Sequence, residues 1–262
     1  MKPFRISASS YLNTAPLVWS FLYGQNHGKV ELILDNAPAR SAELLSHGRV
    51  DAALVPVFAY QSIDDVLLVP DVCVGAHDRV RSVCLVTKGN ELSDVRTLAL
   101  DDSSRTSIAL TKIIFREFIG FEPEWRPCAP DVDKMLSEND GALLIGDPAL
   151  RLHETGLRIF DLAELWNRYT GLGFVFAMWM SRSERSPVDF ASARDEGMAH
   201  ADEIIGNYLP EIALSRDEML EYLTKNISYS VTDEMGQGME LYFKLAYKHQ
   251  LVNEIKKLRF AG

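Results

Sequence analysis

Short apolar strands alternate with helices twice in this chain, and that doubled rhythm limits the folds open to it. In the first run Phe4–Ala8, Val30–Leu34 and Val50–Pro56 read as strands. A helix starting near Asn13 or Thr14, with Pro16 in its first turn, joins the first two and runs to Gly24. A second helix, Pro38–His47, is closed by Gly48 before the third strand. Strand, helix, strand at this spacing specifies a parallel sheet with ligands at the carboxyl ends of its strands. Extended runs follow at Asp64–Cys73 and Ser82–Thr87, the latter ending in the turn Lys88-Gly89-Asn90. The rhythm then restarts: a strand at Thr97–Leu100, a helix over Ile108–Phe118 and an extended Glu124–Pro127. A small helix at Asp131–Glu138 and a buried strand at Ala142–Asp147 complete it. Arg158–Leu162 and Phe174–Trp179 are the last strands. From Pro187 onward the spacing is helical, over Phe190–Tyr208, Arg216–Lys225 and Asp233–His249.

A single sheet would have to hold about eight strands drawn from two separated runs, so two lobes suit the chain better. The expected fold class is α/β, two α/β lobes around a central cleft. Residues 1–86 and 177–262, with the C-terminal helices, form lobe I, and residues 87–176 form lobe II. The apolar positions of those helices, Met235, Met239, Leu241, Leu245 and Val252, either pack within the chain or present a homodimer face. The intramolecular packing is the reading adopted.

Two strand-to-helix junctions carry more hydroxyls than a helix cap requires. The richer is Asp101-Asp102-Ser103-Ser104-Arg105-Thr106-Ser107. The first amides of a helix lack intrahelical partners and the helix dipole adds positive potential there, so such a junction binds anions. Ser103, Ser104, Thr106 and Ser107 supply neutral donors, and Arg105 adds a fork for a carboxylate. An ordinary serine cap beside a surface arginine is the competing reading. Ser9-Ser10-Tyr11-Leu12-Asn13-Thr14 repeats the pattern in the first lobe.

The chain of 262 residues holds 27 Lys and Arg against 37 Asp and Glu, a formal charge of −10. Without a basic block, nucleic acid is excluded as the main partner. Any anionic ligand must be held by local donors against the field of the whole molecule. Cys73, Cys84 and Cys128 form no CxxC pair, which suits free thiols in a reducing compartment. The most apolar window, Phe174–Met180, is strand-sized, and no leader pattern opens the chain, so the expected location is cytoplasmic, with no membrane span. The glycines form neither a phosphate loop nor a dinucleotide fingerprint, and no metal, nucleotide or flavin cofactor is expected.

Six stretches in this order carry a further signal. They are Tyr11-Leu12-Asn13-Thr14-Ala15-Pro16-Leu17, Gly48-Arg49-Val50-Asp51-Ala52-Ala53-Leu54-Val55-Pro56, Arg81-Ser82-Val83, the run Asp102–Ser107, Leu144-Ile145-Gly146-Asp147-Pro148-Ala149-Leu150, and Asp161–Ala177 through Trp166 and Thr170-Gly171. Together the set resembles the chorismate dehydratase family of the futalosine route to menaquinone. The resemblance implies a type II periplasmic-binding-protein fold turned into a cytoplasmic enzyme that converts chorismate to 3-[(1-carboxyvinyl)oxy]benzoate by loss of water. Gly173 departs from the family, where proline is expected, and is expected to loosen a turn. A sister enzyme, 1,4-dihydroxy-6-naphthoate synthase, shares the fold, but its Ser-Pro-Cys-Pro-Asn-Asp junction does not match Ser9–Thr14. Outside the enzyme class, a two-lobed receptor for a small carboxylate and the effector domain of a transcription regulator share the clamp.

Chorismate presents two carboxylates, a ring hydroxyl to be lost and a C3 hydrogen to be removed. Two helix starts on facing lobes would match the two carboxylates. Ser103, Ser104, Arg105, Thr106 and Ser107 are assigned to one, and Asn13 and Thr14, with Ser10 and Ser82, to the other. Thr170 and Gly171 are further contacts that the resemblance implies. Asn13, Ser82 and Asp147 are the candidates for catalysis. Asp147 ends a buried strand, yet a turn carboxylate before Pro148 reads equally well, and a substrate carboxylate could itself remove the C3 proton. Arg40 and Arg81 could offset the ligand's charge, and Tyr169 and Phe176 could line its ring. His27, His47, His77, His153, His200 and His249 all fall outside the matching stretches and are read as surface or core.

Overall fold

The computed structural model describes residues 3–152 and 156–262, so His153 lies outside the described residues. In chain order the strands are β1 (Phe4–Ser9), β2 (Val30–Asp35), β3 (Ala52–Pro56), β4 (Leu67–Ala76), β5 (Val83–Thr87), β6 (Thr97–Asp101), β7 (Glu124–Cys128), β8 (Gly141–Ile145), β9 (Arg158–Asp161) and β10 (Phe174–Ser181). The α-helices are α1 (Ala15–Leu22), α2 (Pro38–Ser46), α3 (Thr106–Ile113), α4 (Val132–Glu138), α5 (Asp147–Leu150), α6 (Leu162–Thr170), α7 (Phe190–Ala199), α8 (Ala201–Tyr208), α9 (Arg216–Glu221) and α10 (Asp233–Lys248).

The strands form two sheets of the same plan, ordered β2-β1-β3-β10-β4 and β7-β6-β8-β5-β9. Each has a parallel trio: β1 pairs with β2 and β3 in one, β6 with β7 and β8 in the other. Each is completed by a strand running antiparallel to the trio, β10 against β3 and β5 against β8. The inner strands β3, β5 and β8 are buried along their whole length, which explains their unbroken apolar sequences. Pro127 sits in β7, an edge strand, where a missing N–H costs no ladder bond.

The chain passes between the sheets at residues 77–82 and 171–173, a few residues before the expected boundaries at 86 and 176. Val83–Thr87 belongs to the second sheet because it pairs with both β8 and β9, and all of Phe174–Ser181 belongs to the first. The second crossing packs against α10. Gly173 is held tightly there: a Cβ on it would lie 2.7 Å from Met235 Cγ and 3.1 Å from the Ala76 carbonyl.

The helical stretch 190–208 is broken at His200, whose ring stacks on Trp19 with centroids 3.8 Å apart. Met235, Met239 and Leu245 are buried within the chain, so α10 spends its apolar face internally. Beyond His249 the chain is not helical, so Val252, counted among the apolar positions of the C-terminal helices, lies outside them. The chain runs as a strap along edge strand β4, where the Leu68 N–H donates to Arg259 O (2.9 Å) and the Ala261 N–H to Leu68 O (2.9 Å). An uncovered strand edge leaves polar groups unpaired, and the strap satisfies them. Among the described residues, no helix is long and apolar enough to cross a membrane.

Candidate functional site

The carboxyl ends of the two parallel trios face each other across one cavity. Ser9, Tyr11, Asn13 and Thr14 reach it from the first half, and Ser104, Thr106, Ser107 and Gly146 from the second. Apolar walls come from Leu54, Pro56, Val74, Val83, Ile145 and Phe176. The two junctions singled out by their hydroxyls therefore share a crevice. Among the described residues no Lys, Arg, Asp or Glu lines it, so its polarity comes from neutral donors and the two helix starts.

At the second junction the hydroxyls divide their work. Asp101 Oδ1 accepts from the Ser103 N–H (2.9 Å) and hydroxyl (2.5 Å), which ties Ser103 into the turn. Ser104 Oγ accepts from the Ser107 N–H at 3.2 Å and acts as the cap. Thr106 Oγ1 accepts from the Phe58 N–H across the cavity rim (3.2 Å), and the Tyr242 hydroxyl donates to Thr106 O (3.0 Å). That leaves the Ser107 hydroxyl turned to the cavity with no structural duty. Arg105 does not line the cavity. With Ser104 and Thr106 facing inward, the side chain between them turns outward onto a separate groove beside Phe58, Ile108, Lys112 and Leu251.

At the first junction a short 3-10 turn, Leu12–Thr14, precedes α1. The Thr14 hydroxyl donates to Ser9 O (2.6 Å) and Tyr11 O (2.9 Å) and so shapes the turn. Asn13 is buried and its Oδ1 makes no well-formed hydrogen bond. Ser10 is not at the cavity; it faces an outer groove with Trp19 and Tyr208, its hydroxyl reaching Asn36 Oδ1 at 3.4 Å. Tyr11 spans the cleft. Burial pushes its pKa up to about 12, with the Asp101 charge adding to the rise.

Gly146, with φ +63°, lies flat under the Tyr11 ring, and a Cβ there would come within 2.9 Å of it. Next to it, Asp147 Oδ1 accepts from the Leu12 N–H at 3.1 Å. The Asp147 carboxyl is buried, and burial raises its pKa to about 6. Its carboxylate is thus engaged with the opposite half, and Asp147 does not line the cavity.

Ser82 is fully buried behind Val83, and its hydroxyl makes no well-formed hydrogen bond. Its position is fixed by its carbonyl, which accepts from the Gly146 N–H (2.7 Å), and by the preceding Arg81 at φ +62°. The buried Asp161 carboxylate accepts from the N–H groups of Val80 (3.1 Å) and Arg81 (2.6 Å), and also caps α6. Nothing in the sequence marks Asp161 for this task, because its partners lie some eighty residues earlier.

Thr170 and Gly171 are at the end of α6, away from the cavity. The Thr170 hydroxyl donates to Trp166 O (2.8 Å) and Gly171 takes the left-handed conformation that closes the helix. Tyr169 stacks on Phe118, whereas Phe176 does line the cavity. Arg40 pairs with Glu43 and Arg81 with Glu218, both outside the cavity. None of the histidines among the described residues lines it. Cys73 and Cys84 are buried, and burial drives both thiols far above their usual pKa. Among the described residues, no three His, Cys, Asp or Glu are grouped to hold a metal ion.

The family model for menaquinone biosynthesis matches residues 4–248. The chain belongs to the menaquinone-biosynthesis family. This member is 33% identical over 227 residues to the chorismate dehydratase of Thermus thermophilus, covering 78% of this chain and 81% of that one. Among solved structures it resembles a protein of Archaeoglobus fulgidus with a TM-score of 0.69 at 14% identity, covering 95% of this chain and 98% of the other. It also resembles the periplasmic aliphatic sulphonate binding protein SsuA of Escherichia coli, with a TM-score of 0.60 at 15% identity, covering 99% and 94%. At those identities the likeness is one of fold: two α/β halves in the arrangement of periplasmic binding proteins.

Proposed function

We propose that this chain is a chorismate dehydratase, a hydro-lyase of the cytoplasm, and that its cleft holds the substrate by its two carboxylates. The observation that carries the reading is the shared cavity between two hydroxyl-rich helix starts. The relative named for this activity supports the choice of substrate. One carboxylate is received at the start of α3 by Ser107 and the first-turn amides, the other at the Leu12–Thr14 turn by Asn13. Phe176 and the aliphatic wall accommodate the ring.

The chemistry asks little of the protein beyond placement. Removing the C3 proton and the C4 hydroxyl, which leaves as water with one proton, aromatises the ring. Positioning therefore supplies most of the acceleration, with modest acid–base assistance. Asp147 is turned to Leu12, and the cavity wall carries no other ionisable base, which favours a carboxylate of the substrate as the proton acceptor. Asn13 and Ser82 are assigned to orienting the reacting part of the ring. No dimer is needed to complete this cavity.

Purified protein mixed with chorismate tests the reading. Chorismate absorbance should fall while a species lighter by one water accumulates. Tight binding without turnover would instead identify a receptor for small carboxylates.

A further inference from the structure

Asn13 Oδ1, Ser82 Oγ and the Tyr222 hydroxyl are each buried without a well-formed hydrogen bond, and Ser82 and Asn13 are neighbours of the Tyr222 hydroxyl. They come from the first turn of one half, the crossing into the other, and a single π turn, Tyr222–Asn226, that follows α9. Tyr222 is fully buried. Burial raises its pKa far above the ordinary phenol, and the Ser82 hydroxyl and the Asn13 carboxamide lie beside it. A phenylalanine would fill the same volume without leaving a buried donor wanting a partner. The hydroxyl therefore has no packing rationale, and its neighbours are the two groups assigned to the reaction.

The asparagine carboxamide explains what the hydroxyl is for. It has one acceptor end and one –NH2 end, and whichever faces the protein decides which faces the ligand. Here Oδ1 is the end buried against the protein, while Asn13 lines the cavity. We propose that Tyr222 is a positioning residue: its hydroxyl donates to Asn13 Oδ1 and accepts from Ser82, turning the Asn13 –NH2 towards a substrate oxygen. This inference rests on the dehydratase reading.

Tyr222→Phe in the full chain tests it, with kcat, KM and Tm measured together and the same change repeated in a Ser82→Ala background. The expected result is a fall in kcat of roughly tenfold or more, KM within about threefold, and Tm unchanged or raised. In the Ser82→Ala background the additional loss should shrink to about twofold, because the two hydroxyls act as one unit. A kcat within twofold of the parent, equal losses in both backgrounds, or a loss that only follows a lowered Tm would each overturn the proposal. If the unaltered protein fails to turn over chorismate, the dehydratase reading fails first and takes this one with it. Turnover that Tyr222→Phe leaves intact sinks this inference alone.

Discussion

The Leu12 N–H donates to the Asp147 carboxylate at 3.1 Å, and these two residues belong to opposite halves of the molecule. Beside them the Tyr11 ring covers Gly146, and further round the rim the Phe58 N–H reaches Thr106 Oγ1. These contacts hold the halves together around the cavity. Asp147, a candidate base by its sequence position, accepts a hydrogen bond from the opposite half.

Asp147→Asn separates the two roles. The amide oxygen can still accept from Leu12, so kcat should stay within about tenfold, whereas loss of a protein base costs roughly 10²–10⁴. Stability carries a second signature. Burial holds the folded carboxyl at about 6 against an ordinary 3.8, so between those pH values the folded chain keeps a proton that the unfolded chain releases. Parent stability should therefore decline as pH rises through that window, by at most about 3 kcal/mol, and level off above it. Denaturation midpoints from pH 4 to 7 should fall more steeply in the parent than in the variant, which keeps the raised carboxyls of Asp101 and Asp161.

Ser107→Ala and Arg105→Ala should part company. The Ser107 hydroxyl faces the cavity, and removing one hydrogen bond to a charged group should raise KM by about 10- to 100-fold. Arg105 faces the neighbouring groove, so its loss should alter KM by no more than about threefold. Steady-state kinetics on the two variants checks both.

Gly146→Ala places a methyl where the Tyr11 ring lies and strains a backbone at φ +63°. The conformational strain alone is about 1–2 kcal/mol. Because the clash is between halves, kcat/KM should fall by more than tenfold, out of proportion to the loss in Tm.

Deleting residues 256–262 removes the strap on β4. The Tyr60 hydroxyl loses its bonds to Lys257 O (2.7 Å) and the Arg259 N–H (2.9 Å), and Leu68 loses both of its partners there. Urea unfolding should show a loss of about 2–6 kcal/mol, at roughly 0.5–1.5 kcal/mol for each of the four bonds.

Local patterns carried much of this architecture. The apolar runs at Ala52–Pro56 and Gly141–Ile145 announce buried strands, and the two hydroxyl-rich junctions announce a shared crevice. What a one-dimensional pattern lacks is direction. Val83–Thr87 is equally apolar whichever sheet receives it, so its pattern alone does not say on which side of the crossing it lies. Arg105 sits between two inward-facing residues, and a shift of one position turns a side chain to the other face. Thr170-Gly171 has the chemistry of a helix end as well as that of a ligand loop, and the helix end uses it. Tyr222 and Asp161 act on residues far away in the chain, where no spacing could have revealed them.

A crystal structure of this protein with 3-[(1-carboxyvinyl)oxy]benzoate bound is the most direct test of two helix starts gripping one dicarboxylate. One carboxylate should lie within hydrogen-bond distance of Ser107 and the first turn of α3, and the other beside Asn13. A ligand seated on the outer groove at Arg105, or one touching a single half, would contradict the account.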